Sequence, residues 1–228
     1  MTMKSWVKLP TRWIEAGGLT GFRWKQGEGS ANVAGLMLLT VIAHHADEEH
    51  GVAQITYDRF KAATDLSRAK ISDGLNALVD RGLIERLSAQ SAYRIVDFDP
   101  SRGWGKLPAR GLYRQDAIPA FHEFRLRRAT ELDALKLYYG VVARRDNDTN
   151  LARMNYETIE DYTGVPRNRI KSALSLLAVN HLVHVEHVPS WTSGYGVSNA
   201  YRLAHLETNR HMGNRGRRLL HEESVPSE

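Results

Sequence analysis

Thr64-Asp65-Leu66-Ser67-Arg68-Ala69-Lys70-Ile71 returns 99 positions later as Thr163-Gly164-Val165-Pro166-Arg167-Asn168-Arg169-Ile170, and the correspondence spreads outward from there. At that offset residues 34–84 lie on residues 133–183 without a gap. Leu36 falls on Leu135, Leu38 on Leu137, Asp47 on Asp146, Tyr57 on Tyr156, Leu75 on Leu174, Leu78 on Leu177 and Leu83 on Leu182. The likeness extends both ways. Trp6-Val7-Lys8-Leu9-Pro10-Thr11-Arg12 reappears as Trp104-Gly105-Lys106-Leu107-Pro108-Ala109-Arg110, and Ala92-Tyr93-Arg94-Ile95 as Ala200-Tyr201-Arg202-Leu203. So many apolar positions in register imply that each half is one complete structural unit.

In the first copy, Leu36, Leu38, Leu39, Ile42 and Ala43 form the apolar part of a helix that ends near Asp47-Glu48-Glu49-His50-Gly51, with Gly51 as a stop. Thr56 offers a side-chain oxygen to the orphan amides of a second helix, which carries Phe60 inward and runs to about Ala63. A third helix opens at Ser67 or Arg68 and sets Ile71, Leu75 and Leu78 on one face, leaving the other polar. The period then changes. Leu83-Ile84-Glu85-Arg86-Leu87, a polar tip at Ser88 to Ser91, and Tyr93-Arg94-Ile95-Val96 read as a hairpin. The second copy repeats this order, with helices around Leu132–Ala143 and Asn155–Asp161 and a third opened by Pro166, whose fixed φ suits a first turn. Its hairpin is longer: Trp191, Tyr195 and the glycines Gly194 and Gly196 form a projecting segment.

The two turn-and-helix octapeptides, each followed by Leu83-Ile84 or Leu182-Val183, make the chain resemble winged-helix DNA-binding proteins. These include regulators of the MarR kind and tandem winged-helix replication proteins of plasmids and phages. The resemblance covers most of the chain and implies a mostly α fold with small β-hairpins (α+β), as two tandem winged-helix domains. The boundaries expected are 1–100 for the first, 101–208 for the second with its longer wing, and 209–228 for a flexible basic tail.

Composition agrees with two units. At 228 residues and 42% hydrophobic, each half is just large enough to bury an independent core. With no Cys there is no disulfide, thiolate zinc site or cysteine nucleophile. The longest apolar run, Val33 to Ala43, is too short for a bilayer, and Pro10 interrupts any signal-peptide stretch, so a cytoplasmic, nucleoid-associated protein is expected. The net charge of +5 is uneven: residues 1–100 hold 12 Lys/Arg against 12 Asp/Glu, and residues 101–228 hold 19 against 14. A basic second half favours a polyanion through counterion release.

In a helix-turn-helix the third helix enters the major groove with its polar face. That face offers Ser67, Arg68, Lys70, Ser72, Asp73 and Asn76 in the first copy, and Arg167, Asn168, Arg169, Lys171, Ser172 and Ser175 in the second. The second is the stronger candidate, with three cations and no acid; Asp73 repels phosphate, though it can accept from a cytosine amino group. Wing candidates are Gln90 and Arg94, then Ser190, Trp191, Ser193, Tyr195, Asn199 and Arg202. Trp191 serves either as a nucleic-acid contact or as a clamp over its own domain. Arg125, Arg127 and Arg128 form a basic connector. In the tail, Arg210, Arg215, Arg217 and Arg218 read either as an arm reaching phosphates or as a solubilising terminus.

No catalytic constellation is legible, and no metal, cofactor, Walker loop or ligand pocket is expected. His181, His184 and His187 fall in a strand, where a spacing of three does not gather ligands on one face. Tyr138 and Tyr139 belong to a core helix, and His44-His45 read as surface residues at a helix end. The chain therefore reads as no enzyme but a binder of double-stranded DNA, serving transcription control or plasmid or phage replication. Its two helices then meet adjacent major grooves. A homodimer is optional, because one chain already carries two such helices. The alternative is a protein-interaction subunit of a DNA-associated or defence complex, with the polar faces turned to protein.

Overall fold

The computed structural model describes residues 3–189 and 197–206. The chain is a mixed α+β protein with small antiparallel sheets. Strand β1 (Trp6–Pro10) and short helix α1 (Arg12–Glu15) lead to α2 (Gly29–His45), β2 (Val52–Gln54), α3 (Tyr57–Thr64), α4 (Arg68–Val79), β3 (Ile84–Arg86) and β4 (Ala92–Ile95). The second half runs β5 (Trp104–Pro108), α5 (Pro119–His122), α6 (Ala129–Arg144), β6 (Leu151–Arg153), α7 (Tyr156–Thr163), α8 (Arg167–Val179), β7 (Val183–Pro189) and β8 (Val197–Leu203). Each expected hairpin gains a third strand: the sheet orders are β2-β4-β3 and β6-β8-β7.

Local chemistry explains the recurring turn. Thr64 Oγ1 donates to the Phe60 carbonyl at 2.7 Å and accepts from Leu66 N at 3.4 Å; Thr163 does the same with Ile159 and Val165 at 2.6 and 3.2 Å. The residue after each threonine is left-handed, Asp65 with φ 57° and Gly164 with φ 63°. Thr56 and Asn155 cap α3 and α7, and Ser67 caps α4 by accepting from Lys70 N. Gly51 is not the stop of α2, which ends at His45; the turn beyond closes on Asp47, whose carboxylate accepts from Glu49, His50 and Val52 amides.

The first helix of each half departs from the one-faced pattern. Residues 32–44 of α2 and 131–142 of α6 are buried without interruption. The reason is two-sided packing: α2 lies between α4 and α6, and α6 between α2 and α8. Gly74 lets α4 come close to α2, since a Cβ there would sit 2.8–2.9 Å from Leu38 and Ala34. In place of two separate interiors, one continuous hydrophobic cluster runs from Leu9 through Leu36, Phe60 and Ile71 to Tyr139, Ile170 and Leu203.

Equivalent residues meet where the halves join. Strands β1 and β5 pair antiparallel about Lys8↔Lys106, so that Trp6 faces Pro108 and Pro10 faces Trp104. Trp6 and Trp104 stack at 6.0 Å and 15°; Lys8 Nζ lies 4.8 Å from the Trp104 ring and Lys106 Nζ 4.9 Å from that of Trp6. In the helix pair, Thr40 Oγ1 lies 2.8 Å from Tyr139 Oη, its partner under the shift of 99. Contacts between corresponding residues thus recur in the ribbon and in the helix pair.

His44 is a correction. It is buried, not a surface residue: Nε2 lies 2.8 Å from the Pro108 carbonyl and Nδ1 2.9 Å from Tyr113 Oη. The carbonyl can only accept, so Nε2 carries the proton and the phenol donates to Nδ1. Burial lowers the His44 pKa from 6.5 to about 3, opposed by the Pro108 hydrogen bond. The neutral ring stabilises the fold fully above pH 6.5, and this contribution fades as pH falls toward 3. Between pH 7.5 and 5 the loss through His44 is about 2 kcal/mol. Urea unfolding of wild type and His44→Gln at both pH values is expected to show a shallower pH dependence in the variant; equal slopes defeat the assignment.

Candidate nucleic-acid interface

Helices α4 and α8 each press an apolar stripe into the core, Ile71, Leu75 and Leu78 in one and Ile170, Leu174 and Leu177 in the other. The opposite faces hold the expected polar residues, but these differ in how far they are free. On α8, Asn168, Lys171 and Ser172 are exposed and form no side-chain hydrogen bond or ion pair among the described residues. Ser175 Oγ donates to the Lys171 carbonyl at 2.9 Å.

Arg68 and Arg167 share an arrangement. Arg68 meets Asp58 of α3 at 2.6 Å, and Arg167 meets Glu160 and Glu157 of α7 at 3.1 and 3.7 Å. All of these groups are exposed, and such pairs contribute at most about 1 kcal/mol, so a phosphate can displace the acid. The remaining α4 residues are more committed. Lys70 Nζ bonds Ser30 at 3.0 Å and Asp73 at 3.2 Å; Asn76 accepts from Arg86 of β3 at 2.9 Å; the Ser67 oxygen is occupied in capping; Ser72 is half-buried.

Two expected contacts are engaged by acids on neighbouring elements. Arg169, whose side chain is 41% exposed, reaches back to Asp133 of α6, whose side chain is 6% exposed. Lys136 lies beside them and donates to the Phe22 carbonyl at 3.1 Å. Burial raises the Asp133 pKa against the pull of Arg169, and lowers that of Lys136 to about 8. Arg202, 12% exposed, binds Glu186 with 2.7 and 3.3 Å contacts across the β7–β8 pair. Arg169→Ala leaves the buried Asp133 carboxylate with Lys136 alone beside it and is expected to destabilise by about 1–3 kcal/mol. Thermal melts check this, and an unchanged midpoint defeats it.

Around the helices, Arg94 pairs with Glu85 at 3.5 Å. Arg125, Arg127 and Arg128 turn their side chains to solvent while their backbone amides donate to Glu131 at 2.6, 2.7 and 3.0 Å. Ser190, Trp191, Ser193 and Tyr195 of the wing and Arg210, Arg215, Arg217 and Arg218 of the tail lie outside the described residues.

The sequence reading missed a cavity of about 870 Å³ where β1, the end of α2, α3 and the segment after β5 converge. Lys8, Arg59, Arg110, Asp116, Phe98 and Tyr113 are among its lining residues. Its walls come from both halves, so no local pattern announces it. Among the described residues no helix is long and apolar enough to cross a membrane. The chain matches no family model and no curated protein.

Proposed function

We propose that this protein binds double-stranded DNA sequence-specifically through two winged-helix units, as a transcription regulator or a replication initiator of a mobile element. One observation carries the proposal: α8 is held by its apolar stripe while Asn168, Lys171 and Ser172 stand exposed and uncommitted beside Arg167 at the helix start. Amide, ammonium and hydroxyl groups along one exposed helix face match the donors and acceptors of base edges, and a cation at the helix N-terminus suits phosphate. Helix α4 contributes Arg68 and, with its other polar groups engaged internally, binds more weakly.

A second reading is a protein-interaction module, favoured by the balanced charge of residues 1–100, 12 Lys/Arg against 12 Asp/Glu. Selection of bound fragments from the source genome, followed by footprinting at physiological salt, separates the two. A protected site of about 20 base pairs supports the DNA reading, and its position beside a promoter or among origin repeats chooses regulator or initiator. Salt-sensitive background binding without enrichment defeats it in favour of the protein module.

A further inference from the structure

We infer that one chain reads an imperfect inverted repeat, as a symmetric dimer would, with its two half-sites unequal in strength. The inference rests on the DNA-binding reading above and deepens it. What carries it is the way the halves are joined. Two copies stacked by translation would set a residue of one against an unlike residue of the other. Here like meets like: Lys8 pairs with Lys106, Trp6 stacks on Trp104 under reciprocal lysines, and Thr40 bonds Tyr139. A two-fold axis has this property, and operator symmetry follows protein symmetry when each half carries a reading helix.

The same axis relates α4 to α8. A two-fold rotation preserves any component along its axis, so whatever extent to which α4 faces one end of the axis is shared by α8. The helices pack in the order α4, α2, α6, α8, and three packing distances of 8–10 Å put the outer pair roughly 24–30 Å apart if the row is straight. That is close to the roughly 34 Å between successive major grooves on one face of B-DNA. Two helices related by rotation meet the two strands in opposite senses and so read inverted sequences.

The symmetry is broken in the side chains that would touch bases. Where α8 has Lys171 and Ser172, α4 has the half-buried Ser72 and then Asp73, the latter paired with Lys70, which also bonds Ser30. Asn168 of α8 corresponds to Ala69, and Ser175 to Asn76, which is held by Arg86. The half-site under α8 therefore dominates, and the one under α4 adds less and tolerates more sequences.

The test is selection of the full chain against a duplex library with about 30 random base pairs, three turns of helix, with the stoichiometry of the enriched duplex measured by analytical ultracentrifugation. The expected product is one chain on two unequal inverted half-sites with centres about one turn apart. Re-orienting the weaker half as a direct repeat at the same spacing is expected to lower affinity at least tenfold. In addition, Arg68→Glu is expected to erase the preference at the weaker half alone. Direct half-sites, a lone half-site bound as tightly as the pair, or two chains per inverted repeat overturn the inference while leaving DNA binding in place. No enriched sequence at all overturns the DNA-binding reading and the inference with it.

Discussion

Reversing the charge of Arg167 and Lys171 together (Arg167→Glu, Lys171→Glu) is expected to lower specific DNA affinity about 100-fold or more while leaving the fold intact. Each base or phosphate contact is worth about 1–3 kcal/mol, and reversal replaces attraction with repulsion. Both side chains are exposed, and the ion pairs of Arg167 with Glu157 and Glu160 lie at the surface, so the stability change stays near 1 kcal/mol or below. Titration of a selected duplex, with a thermal melt beside it, checks both parts. The residual binding should depend less steeply on salt, by roughly one unit of slope for each phosphate that is no longer neutralised. Wild-type affinity in a folded double variant removes α8 from the interface.

Tyr139→Ala carries the largest expected effect on stability. The ring is fully buried, packs 6.0 Å from Trp13 of the other half, and its hydroxyl bonds Thr40 and the Leu36 carbonyl at 2.8 Å each. Truncation removes about 3–5 kcal/mol, a large part of a typical folding free energy. Because the apolar cluster is continuous across the halves, the loss falls on both: urea unfolding followed by tryptophan fluorescence and by far-UV dichroism should shift as one transition. The neighbouring tyrosine is the control. Tyr138 Oη has no hydrogen-bond partner among the described residues, so Tyr138→Phe is expected to leave stability unchanged or raise it, whereas Tyr139→Phe lowers it by about 1 kcal/mol. Two separate transitions in Tyr139→Ala, with one half unaffected, would show that the halves hold independently.

Much of the secondary structure was legible because its causes are local. Thr64 and Thr163 close their turns on residues four back and two ahead, and the stripes of α4 and α8 follow from spacings of three and four. Third strands β2 and β6 were not legible, since a three-residue strand carries too little alternation to announce itself. Nor were the assignments within the candidate interface. Arg169 looks like Lys171 in sequence, yet its neighbour in space is Asp133 of another helix. Arg202 looks like an exposed strand cation until Glu186 arrives beside it from the paired strand.

By itself the sequence determined the repeated order of elements and the polar faces of the two helices, because hydrogen bonds and apolar spacing act over a few residues. Only the tertiary structure decided how the halves join, which arginines are free and where the cavity lies. Those depend on groups distant in the chain whose desolvation and pairing energies exist only once α2 and α6 are packed against each other.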